Sequence, residues 1–99
     1  LDYVFYTNGG AEANENAIKA ARWYTERHKI YAAWRGYHGA TAGAITLTGD
    51  PRRWAAEPGI PGVVHYFGPF SFNSPFGSAN DDEECENALR ALREQIMLD

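Results

Sequence analysis

The sequence predicts an α/β fold, a three-layer piece built around a mostly parallel sheet, and three observations predict it. A β-type run, Tyr3-Val4-Phe5-Tyr6, leads through a glycine turn into a long alanine-rich helical pattern. Two further β-type segments follow, each separated from the last by a helix or a long crossover rather than by a two-residue hairpin. A second helical pattern closes the chain, so strands and helices alternate as they do around a parallel sheet.

The elements follow in order. Residues 3–7 are expected to form a short buried strand. Residues 11–28 place Ala13, Ala17, Ala20, Ala21 and Tyr24 at helical spacings, a small-residue face on which a helix can approach a sheet, with Glu15, Lys19, Arg22, Glu26 and Arg27 left for solvent. Lys29 to Trp34 is the second strand. Thr41 to Leu47 fits either a short helix or a loop, and residues 49–62 form a breaker-rich excursion with one helical turn around Arg53-Trp54-Ala55-Ala56. Val63 to Phe67 is the third strand, and Gly68 to Ser78 is an aromatic loop. Asn80, Asp81 or Asp82 caps the last helix, whose expected buried stripe is Cys85, Ala88, Leu89, Leu92 and Ile96.

Composition excludes several classes. With 44% hydrophobic residues, three Trp, six Tyr and five Phe, the chain belongs with packed proteins rather than disordered ones. A net charge of −4 and a single short basic pair, Arg52-Arg53, argue against a nucleic-acid partner. No apolar run approaches the roughly 20 residues that span a bilayer, and no leader is visible, so no membrane partner is expected. The one cysteine, Cys85, cannot close an intrachain disulfide, which favours a reducing, cytoplasmic setting. At 99 residues a domain buries only about 60–65% of its potential surface. Leu1 stands directly before a strand, and the last helix runs to Asp99 without a stop signal. Both ends read as cuts within a longer protein.

The chemistry centres on two segments. In Asn8-Gly9-Gly10-Ala11, glycines let consecutive N–H groups converge on an anion, and a helix starting at Ala11 adds its positive end. A simple tight turn is the rival reading, with Glu12 and Glu15 satisfying the helix start themselves. Tyr37-His38-Gly39 follows the second strand, where the carboxyl ends of parallel strands face a ligand crevice. Tyr37 could lie over a flat ligand or merely cap the core, and His38 could be a base or a turn residue. The three histidines match no metal-ligand spacing, so no metal is expected. Cys85 is expected in the core. The Phe67–Phe76 aromatics fit a pocket, a subunit contact or the core, and Asp81 to Glu84 fit a solvated helix start.

The blocks TNGGAEANENAIKAAR, KIYAAWRGYHGATAGAITLTGDPRRW, PGVVHYFGPFSFNSPFG and DDEECENALRALREQI resemble, in order, an internal stretch of class III aminotransferases, fold-type-I enzymes dependent on pyridoxal 5′-phosphate. The resemblance covers nearly the whole chain and makes residues 1–99 part of the large, cofactor-binding domain. It implies that the backbone amides of Gly10 and Ala11 hold the cofactor phosphate, with Ala11 where many relatives carry Ser or Thr. It implies that Tyr37 stacks on the pyridine ring, that His38 and Gly39 shape its turn, and that Glu15 supports the site. No catalytic residue is implied here, because neither Lys19 nor Lys29 sits in the family's Schiff-base motif and the pyridine-pairing aspartate lies farther along.

The implied activity moves an amino group from an amine or amino acid, such as an ω-amino acid or a taurine-like donor, to a 2-oxo acid such as pyruvate. A homodimer or higher homo-oligomer is implied as well. A decarboxylase or aminomutase of the same superfamily, and a noncatalytic phosphate-ligand module, are the alternatives. The isolated chain is expected to be inactive, and either poorly folded or self-associating.

Overall fold

The computed structural model describes residues 2–99, so Leu1 and its place before a strand lie outside the described residues. The chain divides into two compact units, one ending at His65 and the other spanning Tyr66–Asp99.

In the first unit, helix α1 (Gly10–Thr25) is followed by strand β1 (Ile30–Ala33), helix α2 (Ala42–Leu47), a 3₁₀ segment (Pro51–Ala56) and strand β2 (Val63–Tyr66), whose last residue opens the second unit. The α/β class with a parallel sheet is the observed one. Among the described residues the sheet has two strands, β1 and β2, not three. The expected strand at residues 3–7 is absent: its backbone joins no ladder, and Tyr3 and Phe5 are 94% and 78% exposed. Aromatic and β-branched residues favour extended backbone, but a strand requires a neighbour to take its hydrogen bonds.

The α1 helix also presents a different face from the expected one. Ile18, not the alanine row, enters the core, joining Ala32 and Leu47, with Ile30, Ile60 and Val63 packed around them. Polar residues flank Ile18 on that inward side because each finds a partner. Arg22 was expected in solvent, yet it donates to the carbonyls of His28 (2.8 Å) and Pro61 (2.7 Å). Ala13, Ala17 and Ala20 instead line an open cavity of about 420 Å³ with Phe5 and Trp23. The helix stops at Thr25, short of the expected residue 28, because Glu26 turns into the left-handed region at φ 55°.

In the second unit, a short 3₁₀ turn (Ser71–Asn73) precedes helix α3 (Asp81–Leu98). Asn80 is the cap: its side-chain oxygen accepts from the Glu83 N–H at 2.9 Å, while the Glu83 carboxylate reaches back to the Ala79 N–H. The expected apolar stripe is only partly buried. Ala88 is inside, but Cys85, Leu89 and Ile96 are exposed. The inward position belongs to Glu84, which is 1% exposed rather than part of a solvated helix start. Its carboxylate accepts from the Phe70 N–H (3.0 Å) and the Ser74 hydroxyl, so two donors of the aromatic loop offset the cost of burying it. Glu84→Gln is expected to cost about 1–2 kcal/mol and to speed exchange of the Phe70 amide roughly tenfold. Unchanged exchange at Phe70 would mean that the loop is held by other contacts. Among the described residues no helix is long and apolar enough to cross a membrane.

Candidate functional site

The start of α1 is built without a cap. Gly9 precedes it in extended backbone, and among the described residues no side chain satisfies the first-turn N–H groups. Neither glutamate fills that role. The Glu12 carboxylate accepts from the Asn8 N–H at 3.0 Å, and Glu15 turns toward α2. A Cβ added at Gly9 or Gly10 would meet no atom within 4 Å, so open space lies beside the backbone there. The helix start therefore presents uncapped donors and a positive dipole end to an unobstructed volume.

The turn after β1 is brought directly against this helix start. Gly39 has φ +127°, and a Cβ on it would stand 2.6 Å from the Ala11 Cβ and 2.9 Å from the Ala11 Cα. Only glycine combines that backbone conformation with that approach. The backbone of His38 is clamped from both sides: its carbonyl accepts from the Asn14 amide at 2.7 Å, and its N–H donates to the Thr48 hydroxyl at 3.1 Å. The latter hydroxyl is fully buried and donates in turn to the Ala44 carbonyl.

Glu15 fastens α2 to α1. One carboxylate oxygen accepts from the Thr41 hydroxyl (2.7 Å) and from the N–H groups of Gly43 (2.7 Å) and Ala44 (3.2 Å). The Thr41 hydroxyl foremost, aided by these amides and by Lys19, holds the Glu15 carboxyl below its ordinary pKa against partial desolvation. A residue assigned to solvent by helical spacing is thus a structural tie, in keeping with the supporting role that the resemblance gave it.

Tyr37 is half exposed, with the Arg52 guanidinium 4.0 Å from its ring centroid. Arg52 is held by both carboxylate oxygens of Asp50. The same carboxylate accepts from the Arg52 backbone N–H at 3.0 Å and so caps the 3₁₀ segment. Hydrogen bonding from Arg52 lowers the Asp50 pKa, and the same contact raises that of Arg52.

A second cluster props the end of α2. His65 stacks on Trp34 at 4.4 Å and contacts the Leu47 carbonyl at 3.1 Å, and Arg53 donates to the Thr48 carbonyl at 3.0 Å. Burial pushes the His65 pKa down, which favours the neutral ring. Among the described residues no three potential ligands converge on a metal position.

Gly10, Ala11 and Tyr37, far apart in sequence, therefore lie on two segments that pack together through Gly39. Spacing did not reveal Asn14, Thr48, Asp50 or Arg52. Asn14 left a faint signal, since asparagine is a poor helix former inside an alanine-rich helix. Thr48 left none.

The chain matches the family model described as "Aminotransferase class-III" over residues 1–98. An acetylornithine aminotransferase of Lactiplantibacillus plantarum is 39% identical over 95 residues, a span covering 95% of this chain and 22% of that protein. Among solved structures, the taurine:2-oxoglutarate aminotransferase of Bifidobacterium kashiwanohense, in complex with PLP and glutamate, superposes with a TM-score of 0.82 at 43% identity, covering 93% of this chain and 21% of that one. The (S)-enantioselective omega-transaminase of Thermomicrobium roseum superposes with a TM-score of 0.80 at 38% identity, covering 92% and 22%. The chain thus spans about a fifth of the length of these relatives. On the family match and on its fold, this chain belongs to the class III aminotransferases.

Proposed function

We propose that residues 1–99 form part of the large domain of a pyridoxal phosphate-dependent aminotransferase and supply its phosphate cup and ring platform. The observation that carries this reading is the packing of Gly39 on Ala11, which sets the half-exposed Tyr37 ring on the turn beside an uncapped helix start. The residues fit the group. Open space at Gly9 and Gly10 admits an anion to the first-turn amides, with Gly10 and Ala11 as the donors, and Tyr37 offers an aromatic face for the pyridine ring. Ala11 contributes its N–H and no hydroxyl.

When bound, pyridoxal phosphate supplies an electrophilic carbonyl for amines and a ring that accepts electrons. The residues of this chain anchor and orient that group. The amine-bonding lysine and the acid facing the pyridine nitrogen belong to segments beyond it. Two solved relatives named for taurine:2-oxoglutarate and for omega-transaminase activity support an ω-amino acid or taurine-like amine as donor and a 2-oxo acid as acceptor. We assign the enzyme to the cytoplasm as a homodimer or higher homo-oligomer.

The test uses the intact protein that contains this chain. It is expected to carry one cofactor per subunit, seen as a visible absorption band that changes on adding an amine donor, and to transfer the amino group to pyruvate or a related 2-oxo acid. An intact protein with neither the band nor transfer would overturn the reading. A band accompanied by loss of carbon dioxide or by isomerisation instead would move it to a neighbouring chemistry on the same cup.

A further inference from the structure

We propose that Arg52, locked by Asp50, is a positioning residue for Tyr37: it covers one face of the phenol ring so that the opposite face is the one presented to the cofactor. The inference rests on the function proposed above and adds to it two residues outside the phosphate cup. An aromatic ring has two faces, and a planar guanidinium 4.0 Å from the centroid fills one of them to van der Waals thickness. A flat ligand can then stack only on the other.

The lock on Arg52 is compact. Asp50 grips both the guanidinium and the backbone N–H of the same residue, and Pro51 between them fixes its own φ. The Arg52 side chain is 60% exposed, so this ion pair contributes little to stability as such. Its value is geometric. It removes torsional freedom from a half-exposed tyrosine that would otherwise lose that freedom only on binding. Asp50 also balances the guanidinium charge, which leaves little net attraction for a distant phosphate.

The experiment titrates pyridoxal phosphate into the apo form of the intact protein, following cofactor circular dichroism and binding. Arg52→Met is expected to weaken binding about three- to tenfold and to reduce the induced dichroism, with Arg52→Lys between it and the parent. In a Tyr37→Leu background the same Arg52→Met change is expected to cost less than about twofold, because the ring through which it acts is gone. Asp50→Asn, which keeps the cap and frees the guanidinium, is expected to lose about twofold or more, and it carries the comparison should Arg52→Met fail to fold. Equal losses in both backgrounds would mean that Arg52 attracts the cofactor directly, and no loss at all would mean that Tyr37 is fixed without it. Either result overturns the inference alone. Absence of binding by the unsubstituted protein overturns the proposed function and this inference together.

Discussion

Gly39→Ala is expected to weaken pyridoxal phosphate binding by the intact protein at least about tenfold and to lower its stability by about 2–4 kcal/mol. Two costs fall on one methyl group. The backbone at φ +127° lies where side chains are strained, and the new Cβ would overlap Ala11 at 2.6 Å. Ala11 has little room to yield, because it belongs to the first turn of α1 and moving it would displace the helix backbone. The turn must therefore lift away from the helix, taking the Tyr37 ring with it. Cofactor titration and urea unfolding check both parts. Parent-like affinity in the alanine variant would show that ring and cup need not be held together by this contact.

Removing the Glu15 carboxylate is the second large effect. Glu15→Ala leaves the Gly43 and Ala44 amides without their partner on a buried stretch of backbone and frees the Thr41 hydroxyl, at an expected cost of about 2–3 kcal/mol. The loss should be smaller in Glu15→Gln, which keeps one acceptor oxygen. The pH dependence has a definite sign. The folded pKa lies below the ordinary 4.5, so the folded state binds the proton less readily than the unfolded chain does. The stabilisation is complete above 4.5 and is lost as pH falls through the lower folded value. The stability difference between the parent and Glu15→Gln, measured by urea unfolding across acidic pH, should shrink in that window. A difference that stays constant on acidification would remove the carboxylate from this role.

Much of this was legible in the sequence, and the failures share a physical origin. The parallel α/β class, a strand within Lys29 to Trp34, the helical turn before Glu57 and a cap among Asn80, Asp81 and Asp82 follow from local pattern and turn chemistry, which act over a few residues; the structure narrows them to Ile30–Ala33 and Asn80. Periodicity misjudged which face of α1 turns inward. It ranks residues by hydrophobicity, whereas Asn14, Glu15 and Arg22 face inward because distant donors and acceptors meet them. Glu84 misled for the same reason, since a carboxylate can be buried when two loop donors converge on it. The strand expected at residues 3–7 failed because pairing is a property of the neighbour. At the site, the two motifs were visible, but the Gly39–Ala11 contact that joins them depends on a tertiary approach that no spacing encodes.

Helix α1 also acts as a ruler. Position 11 meets Gly39, position 14 grips the Tyr37 turn, position 15 tethers α2, and position 18 anchors the core. Each residue added to a helix swings everything beyond it by about 100° and moves it 1.5 Å along the axis. A single insertion between Ala11 and Ile18 would therefore put the helix start and its Gly39 contact out of phase with the core, even with every side chain still present. Substitutions along the open alanine row leave that phase intact. Over these two turns, tolerance depends less on which residues occupy the helix than on how many there are.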